Sequence, residues 1–332
     1  MTWLHPVLAT LLGALCCLPL QAQADQETTP DDAIVGLDRD GSGADNHALK
    51  VLFIGNSYTA CGGGQPNLLA GMLQAREITL SPYTHIRGGE TLEGFWLKNA
   101  GTEPTYSERQ QLKSKKTEAE RQAQLENLHK NREKTIGSLD AVLAEGPFDI
   151  AIIQSWLGAA KPEEDMGFRR YAGLLAEKIR AGSPDATLIL YMTWSSQNDR
   201  ESQKRITDNC LAVAREHQMV LAPAGEAAWA AGDQRSDLAL YRSAKDSHPG
   251  YDGAYLIACS LAAAITNRSP EGLPTTMEVP WSYDFPVQIG IDDRKQQLKD
   301  HPMNQRYTWS INADTAQFLQ KIAWDTFSAY QP

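Results

Sequence analysis

The strongest constraint in this chain is a set of five short apolar runs, most of them separated by helix-like segments. The runs are Leu49–Ile54, Ile78–Ile86, Asp149–Gln154, Thr187–Thr193 and Met219–Ala222. Helical patterns occupy Asn67–Arg76, Glu163–Ala181, Arg200–His217 and Tyr251–Thr266, and a last one at Thr315–Tyr330 is expected to pack back on the sheet. Near-continuous apolar runs are the mark of strands buried on both faces, and strands alternating with helices predict a mainly parallel sheet. The expected fold class is therefore α/β, a three-layer α/β/α sandwich around a mainly parallel five-stranded sheet. In the first run, "VLFIGNSYT", four apolar residues stop at Gly55-Asn56-Ser57. That places Ser57 just past the carboxyl end of a strand, where open α/β sheets hold their ligands.

With 332 residues, 42% hydrophobic and 22% charged, the chain fits one large domain with an appendage. A formal charge of -10 argues against a nucleic-acid partner and for small or neutral ones. The leading "MTWLHPVLATLLGALCCLPLQAQA" has an apolar core from Val7 to Leu20 and then Ala22-Gln23-Ala24, a small-x-small pattern. Residues 1–24 are read as a signal peptide cleaved after Ala24, giving a secreted or periplasmic protein. The run is shorter than the roughly 20 residues of a membrane span, so no stable membrane insertion is expected.

Residues 25–47 are acidic and rich in Gly and Asp, and read as a disordered acidic linker before a domain at 48–332. Within the linker, "DRDGSG" resembles the opening of a calcium loop, with Asp38, Asp40 and Ser42. Its twelfth position is Leu49 where a bidentate Glu is required, and no metal is expected. Cleavage would leave Cys61, Cys210 and Cys259, an odd number without metal-ligand spacing. Buried thiols are the plain reading, and a disulfide between two of them stays open. At about 105–144 the chain is interrupted by strong helix formers charged with both signs, a solvated helix or helical hairpin, or else a lid over a site.

A serine hydroxyl is a weak nucleophile until a base takes its proton. His248, in "YRSAKDSHPGYDGAYLIAC", follows an acid-bearing loop and precedes an apolar helix, a setting that holds the ring in place while leaving it free to titrate. His85, His217 and His301 lack such a context.

The blocks "FIGNSYT", "RGGETL", "DIAIIQSW" and "DSHPGYDGAYLIA" are similar in order and spacing to those of the SGNH/GDSL hydrolase superfamily, across roughly residues 49–270. "LILYMTW" and "APAGEAAW" resemble a branch of mostly unassigned secreted bacterial proteins. The resemblance implies a flavodoxin-like SGNH hydrolase fold with Ser57 as nucleophile, Asn56 standing in for the commoner Asp. It implies an oxyanion hole from the Ser57 amide and a glycine of the second block, Gly89 or else Gly88. Glycine suits that role because its main chain can approach a developing oxyanion closely.

Two positions depart from the family. The third block lacks the usual Asn, and Gln154 carries the same amide on a longer arm. The family's Asp three residues before the His is Lys245 here, while Asp246 lies only two before. Either Asp246 orients the imidazole, or a Ser-His dyad operates with a backbone carbonyl. Trp156 and Trp194 follow the third and fourth strands and are candidates to line a substrate cleft, though core packing explains each as well.

The resulting expectation is a secreted serine ester hydrolase without cofactor, acting on a small-molecule or glycan ester. A decayed carbohydrate-binding or scaffold protein and an acyltransferase are the alternatives. Expression in a secreting host should yield a chain whose first residue is Asp25 by intact-mass analysis. A secreted chain retaining residues 1–24 would overturn the leader assignment.

Overall fold

The computed structural model describes residues 48–100, 106–115, 117–133, 137–155, 162–280 and 306–331. The expected leader (1–24), the acidic linker (25–47), Trp156 and His301 lie outside the described residues. Five strands form one all-parallel sheet: β1 (Leu49–Gly55), β2 (Leu80–Ile86), β3 (Ile150–Ser155), β4 (Thr187–Met192) and β5 (Val220–Ala222). Their order is β2-β1-β3-β4-β5. The chain leaves β1 toward β2 on one side and then crosses to β3 on the other, so a topological switch point opens at the carboxyl ends of β1 and β3.

Alternate residues of the central strands feed two separate cores, because strand side chains point to opposite faces in turn. Val51, Phe53, Ile150, Ile152 and Ile189 enter one core. Leu52, Ile54, Ala151, Ile153, Leu188 and Leu190 enter the other. The first core is covered by α2 (Gln65–Gln74), α10 (Tyr251–Thr266) and α11 (Ala313–Ala329), the second by α3 (Leu92–Ala100), α7 (Pro162–Gly182) and α8 (Arg200–Glu216). Helix α10 is buried along its length from Gly253 to Thr266, which is why it is apolar on every side. This is the expected three-layer sandwich.

Elements with weak sequence signals complete it. Helix α9 (Ala224–Gln234) buries only alanines and a glycine, so it has little amphipathic contrast to reveal it. Strands β6 (Tyr241–Ser243) and β7 (Asp246–Pro249) form an antiparallel hairpin just before α10. Strands β8 (Thr276–Pro280) and β9 (Arg306–Ser310) pair across a long sequence separation, and a short alternating pattern of that kind is recognisable only once its partner is known. All three expected cysteines are buried free thiols. Among the described residues, no helix is long and apolar enough to cross a membrane.

The charged insertion is shorter than its sequence suggested. Helices α4 (Tyr106–Lys113) and α5 (Glu118–Glu133) pair through Gln124 and Gln111 at 2.8 Å, and Arg109 reaches Glu93 of α3 at 3.1 Å. Residues from 138 onward belong to the core instead: α6 (Ser138–Leu143) buries Leu139 completely in the second core. Gly137 has no side chain to cap α6, so Asn99 of α3 does it, its Oδ1 accepting from Leu139 N at 2.9 Å. Leu139→Ala should therefore cost about 3 kcal/mol of stability in urea unfolding. Glu126→Ala on the exposed side of α5 should stay within about 0.5 kcal/mol. Equal effects would mean that α6 is as peripheral as α5.

Candidate active site

At the end of β1 the chain turns through Asn56, in extended conformation, into a four-residue helix α1 (Ser57–Ala60). Every polar group of Asn56 is engaged. Its N–H donates to Gln154 Oε1 at 2.8 Å, and its carbonyl accepts from the N–H groups of Thr59 and Ala60. Its Oδ1 caps Tyr58 N at 3.1 Å, and its Nδ2 donates to the Glu90 carbonyl at 2.9 Å. The last bond explains Asn at this position, since an aspartate has no donor to offer that carbonyl. The Ser57 N–H stays outside this network and has no hydrogen-bond partner among the described residues.

The carbonyl held by Asn56 belongs to the turn that follows β2. Glu90 N bonds back to Arg87 O at 3.2 Å, Arg87 N reaches Gly55 O at 3.0 Å, and Gly89 sits in the turn at φ +69°. A side chain would strain that conformation, which is why the position calls for glycine. The Glu90 carboxylate is anchored by Lys98 at 2.6 Å and by Thr91 N at 3.2 Å. The Gly89 N–H, like that of Ser57, has no partner among the described residues. Among the described residues nothing lies within 4 Å of where a Cβ on Gly88 or Gly89 would stand.

Far along the chain, β7 brings the histidine to the serine. His248 Nε2 lies 2.7 Å from Ser57 Oγ, and His248 Nδ1 lies 2.6 Å from Asp246 Oδ1. The same carboxylate oxygen also accepts the His248 backbone N–H at 3.0 Å. That is an Asx-turn, a local bond between a side chain and the backbone two residues on. Residues two apart in an extended strand share a face. Asp246 therefore lies alongside His248, and the spacing of two is what a strand here requires. Lys245 is exposed and donates only its backbone N–H, to Ser243 Oγ.

Burial alone would raise the Asp246 carboxyl. The backbone and ring of His248, together with the Arg242 guanidinium 3.6 Å away, outweigh it and hold the group below the usual carboxylate range. The strand continues into α10 through Gly250, where a Cβ would stand 2.3 Å from Ala239 O, so only glycine lets the hairpin fold against the helix start.

Two expectations change. Gln154 is 1% exposed, and its Oε1 is occupied by Asn56 N and by the Thr59 hydroxyl at 2.9 Å. Among the described residues its Nε2 is buried and has no hydrogen-bond partner, so Gln154 braces the serine turn from beneath and does not open onto the site as an oxyanion donor. Trp194 is 0% exposed and lines no cleft. It packs edge-on against Tyr58 and Tyr241 and donates its indole N–H to Ser247 O at 2.7 Å. Of the histidines set aside, His85 is buried against Phe95 at 5.0 Å, and burial, with Arg87 nearby, depresses it to about 4, while His217 ends α8.

Tyr58 and Ser247 went unnoticed in the sequence. Tyr58 stacks on the His248 ring at 5.1 Å and 29°, and its hydroxyl lies 2.7 Å from Ser247 Oγ. The available signal was adjacency, since each flanks a candidate residue.

No family model matches the sequence, and no curated protein matches it. Among solved structures, a DUF4886 family protein from Bacteroides uniformis is similar at a TM-score of 0.50 and 16% identity, covering 85% of this chain and 95% of that one. TesA aligns at a TM-score of 0.44 and 14% identity over 66% of this chain and 98% of its own. Axe2, an acetylxylan esterase from Geobacillus stearothermophilus, aligns at 0.42 and 17%, over 66% and 94%. At such identities the likeness concerns fold. The serine after β1 and the histidine ahead of α10, on a sheet ordered β2-β1-β3-β4-β5, agree with the SGNH/GDSL-like arrangement that the sequence blocks imply.

Asn56→Asp at neutral pH should turn a carboxylate oxygen toward the Glu90 carbonyl and lower stability by about 1–3 kcal/mol. An unchanged midpoint in thermal unfolding would show that the bond to Glu90 does not hold the turn.

Proposed function

We infer that this chain is an exported serine ester hydrolase that works through an acyl-enzyme. The observation that carries this reading is the relay of two hydrogen bonds, Ser57 Oγ to His248 Nε2 and His248 Nδ1 to Asp246 Oδ1. In the first half-reaction Ser57 Oγ bonds to the ester carbonyl carbon while its proton passes to His248 Nε2. The oxyanion is met by the free N–H groups of Ser57 and Gly89, donors already fixed by Asn56 and needing no reorganisation. Collapse of the tetrahedral species breaks the bond to the leaving alkoxide, which takes the proton from His248. Water then gives a proton to His248 and its oxygen to the acyl carbon, and the acid leaves as Ser57 recovers its proton.

Asp246 enters this cycle ionised, because its folded environment favours the carboxylate. It opposes the positive charge that the imidazole acquires at each proton transfer. Acylated carbohydrate, in particular acetyl esters, is the substrate class, by likeness to SGNH enzymes carried by the four sequence blocks. The leader expected at residues 1–24 from its apolar core and small-x-small pattern supports export. Transfer to a sugar hydroxyl in place of water would use the same residues, and comparing hydrolysis with transfer in the presence of an added sugar acceptor separates the two.

On p-nitrophenyl acetate, Ser57→Ala should leave no more than about a thousandth of the wild-type kcat/KM, with an unchanged fold by circular dichroism. Asp246→Asn keeps the shape but removes the charge and should lose about two to four orders of magnitude. Substantial activity in the serine variant would sink the nucleophile assignment. A loss under about threefold in Asp246→Asn would leave a Ser-His dyad.

A further inference from the structure

The relay is held from behind by an aromatic clamp. Ser247 lies between Asp246 and His248 in β7, so the strand alternation that turns those two side chains to one face turns Ser247 to the other. Both ends of Ser247 are gripped: its Oγ by the Tyr58 hydroxyl at 2.7 Å and its carbonyl by the Trp194 indole N–H at 2.7 Å. Tyr58 is 3% exposed and Trp194 0%, and their rings meet edge-on at 6.1 Å. Tyr58 also stacks on the imidazole itself, with the rings inclined by 29°.

Each partner comes from a different part of the sheet edge. Tyr58 directly follows the nucleophile on α1, and Trp194 stands just past β4. The residue linking acid to base is thus fastened to the nucleophile's own helix and to the central sheet. A two-stranded hairpin has little stability of its own, so its place relative to Ser57 must come from such contacts. We propose that Tyr58, Ser247 and Trp194 are positioning residues: they lock β7 so that His248 addresses Ser57 and Asp246 at once, and the Tyr58 ring supports the imidazolium that forms during attack. This rests on the serine-hydrolase reading above.

Tyr58→Phe, Tyr58→Leu, Ser247→Ala and Trp194→Phe test it, with Tyr241→Phe as control, since Tyr241 touches the Trp194 ring but neither Ser247 nor His248 in the described contacts. Three measurements are made on the full chain: thermal unfolding, labelling rate with a fluorophosphonate probe, and kcat and KM on p-nitrophenyl acetate. Tyr58→Phe, Ser247→Ala and Trp194→Phe should each fold and lose about tenfold in kcat and labelling rate with KM within about twofold. Tyr58→Leu, which also removes the stack, should lose about a hundredfold. Tyr241→Phe should match wild type. Folded variants that label at the wild-type rate overturn the clamp.

The nitrogen chemical shifts of the His248 ring provide a readout that does not need turnover. A single tautomer with the proton on Nδ1 is expected in wild type, giving way to a mixture in Ser247→Ala and Trp194→Phe. If wild type proves inert and unlabelled but shows that change, the clamp stands and the hydrolase reading falls. If the tautomer is equally fixed in every folded variant, the clamp falls whether or not the protein is an esterase.

Discussion

Asn56 is the residue on which the arrangement turns. Its four polar groups reach three separate pieces of structure: Gln154 on β3, the first turn of α1 (through Tyr58, Thr59 and Ala60), and the Gly89 turn after β2. Parallel strands bring those pieces to one edge, but a sheet edge only assembles loops there and does not align them. A bond worth about 1 kcal/mol in isolation matters more when both partners are buried, because leaving either unpaired costs its full desolvation. Asn56 is 4% exposed, and each of its bonds is therefore enforced by burial.

The histidine side of the site is organised by a different device. A single oxygen of Asp246 takes both the backbone and the ring N–H of His248, so the strand conformation and the ring orientation are set by one group. Arg242 on the neighbouring strand β6 faces the other carboxylate oxygen, Oδ2, and favours the ionised form. Behind it the Tyr58, Ser247 and Trp194 contacts connect β7 to the nucleophile's helix. Gln154 illustrates the cost of such bracing, since its carbonyl holds the serine turn while its Nε2 is left buried without a partner.

Much of the fold was legible because its signals are local. Each central strand is a short run buried on both faces, and α10 is apolar all round for the same reason. The weaker elements had no such contrast: α9 presents small residues, and β8 and β9 depend on each other across more than twenty intervening positions. Composition does not distinguish a solvated helix from α6, a short helix committed to the core by Leu139, so the insertion reads longer in the sequence than in the structure.

At the site, the sequence by itself determined the types of group and two of their positions. A strand that ends in Gly-Asn-Ser must present its serine at the sheet's carboxyl edge, and a histidine just before a buried helix must lie near the same edge. Which way the other side chains point was decided only by tertiary structure. Asp246 in place of the residue at 245, the inward turn of Gln154 and the burial of Trp194 each depend on contacts between residues roughly 50 to 190 positions apart or on whether a short segment is extended. Sequence patterns record the period and the polarity of an element, whereas the direction of a polar side chain follows from which donors and acceptors packing brings within about 3 Å of it.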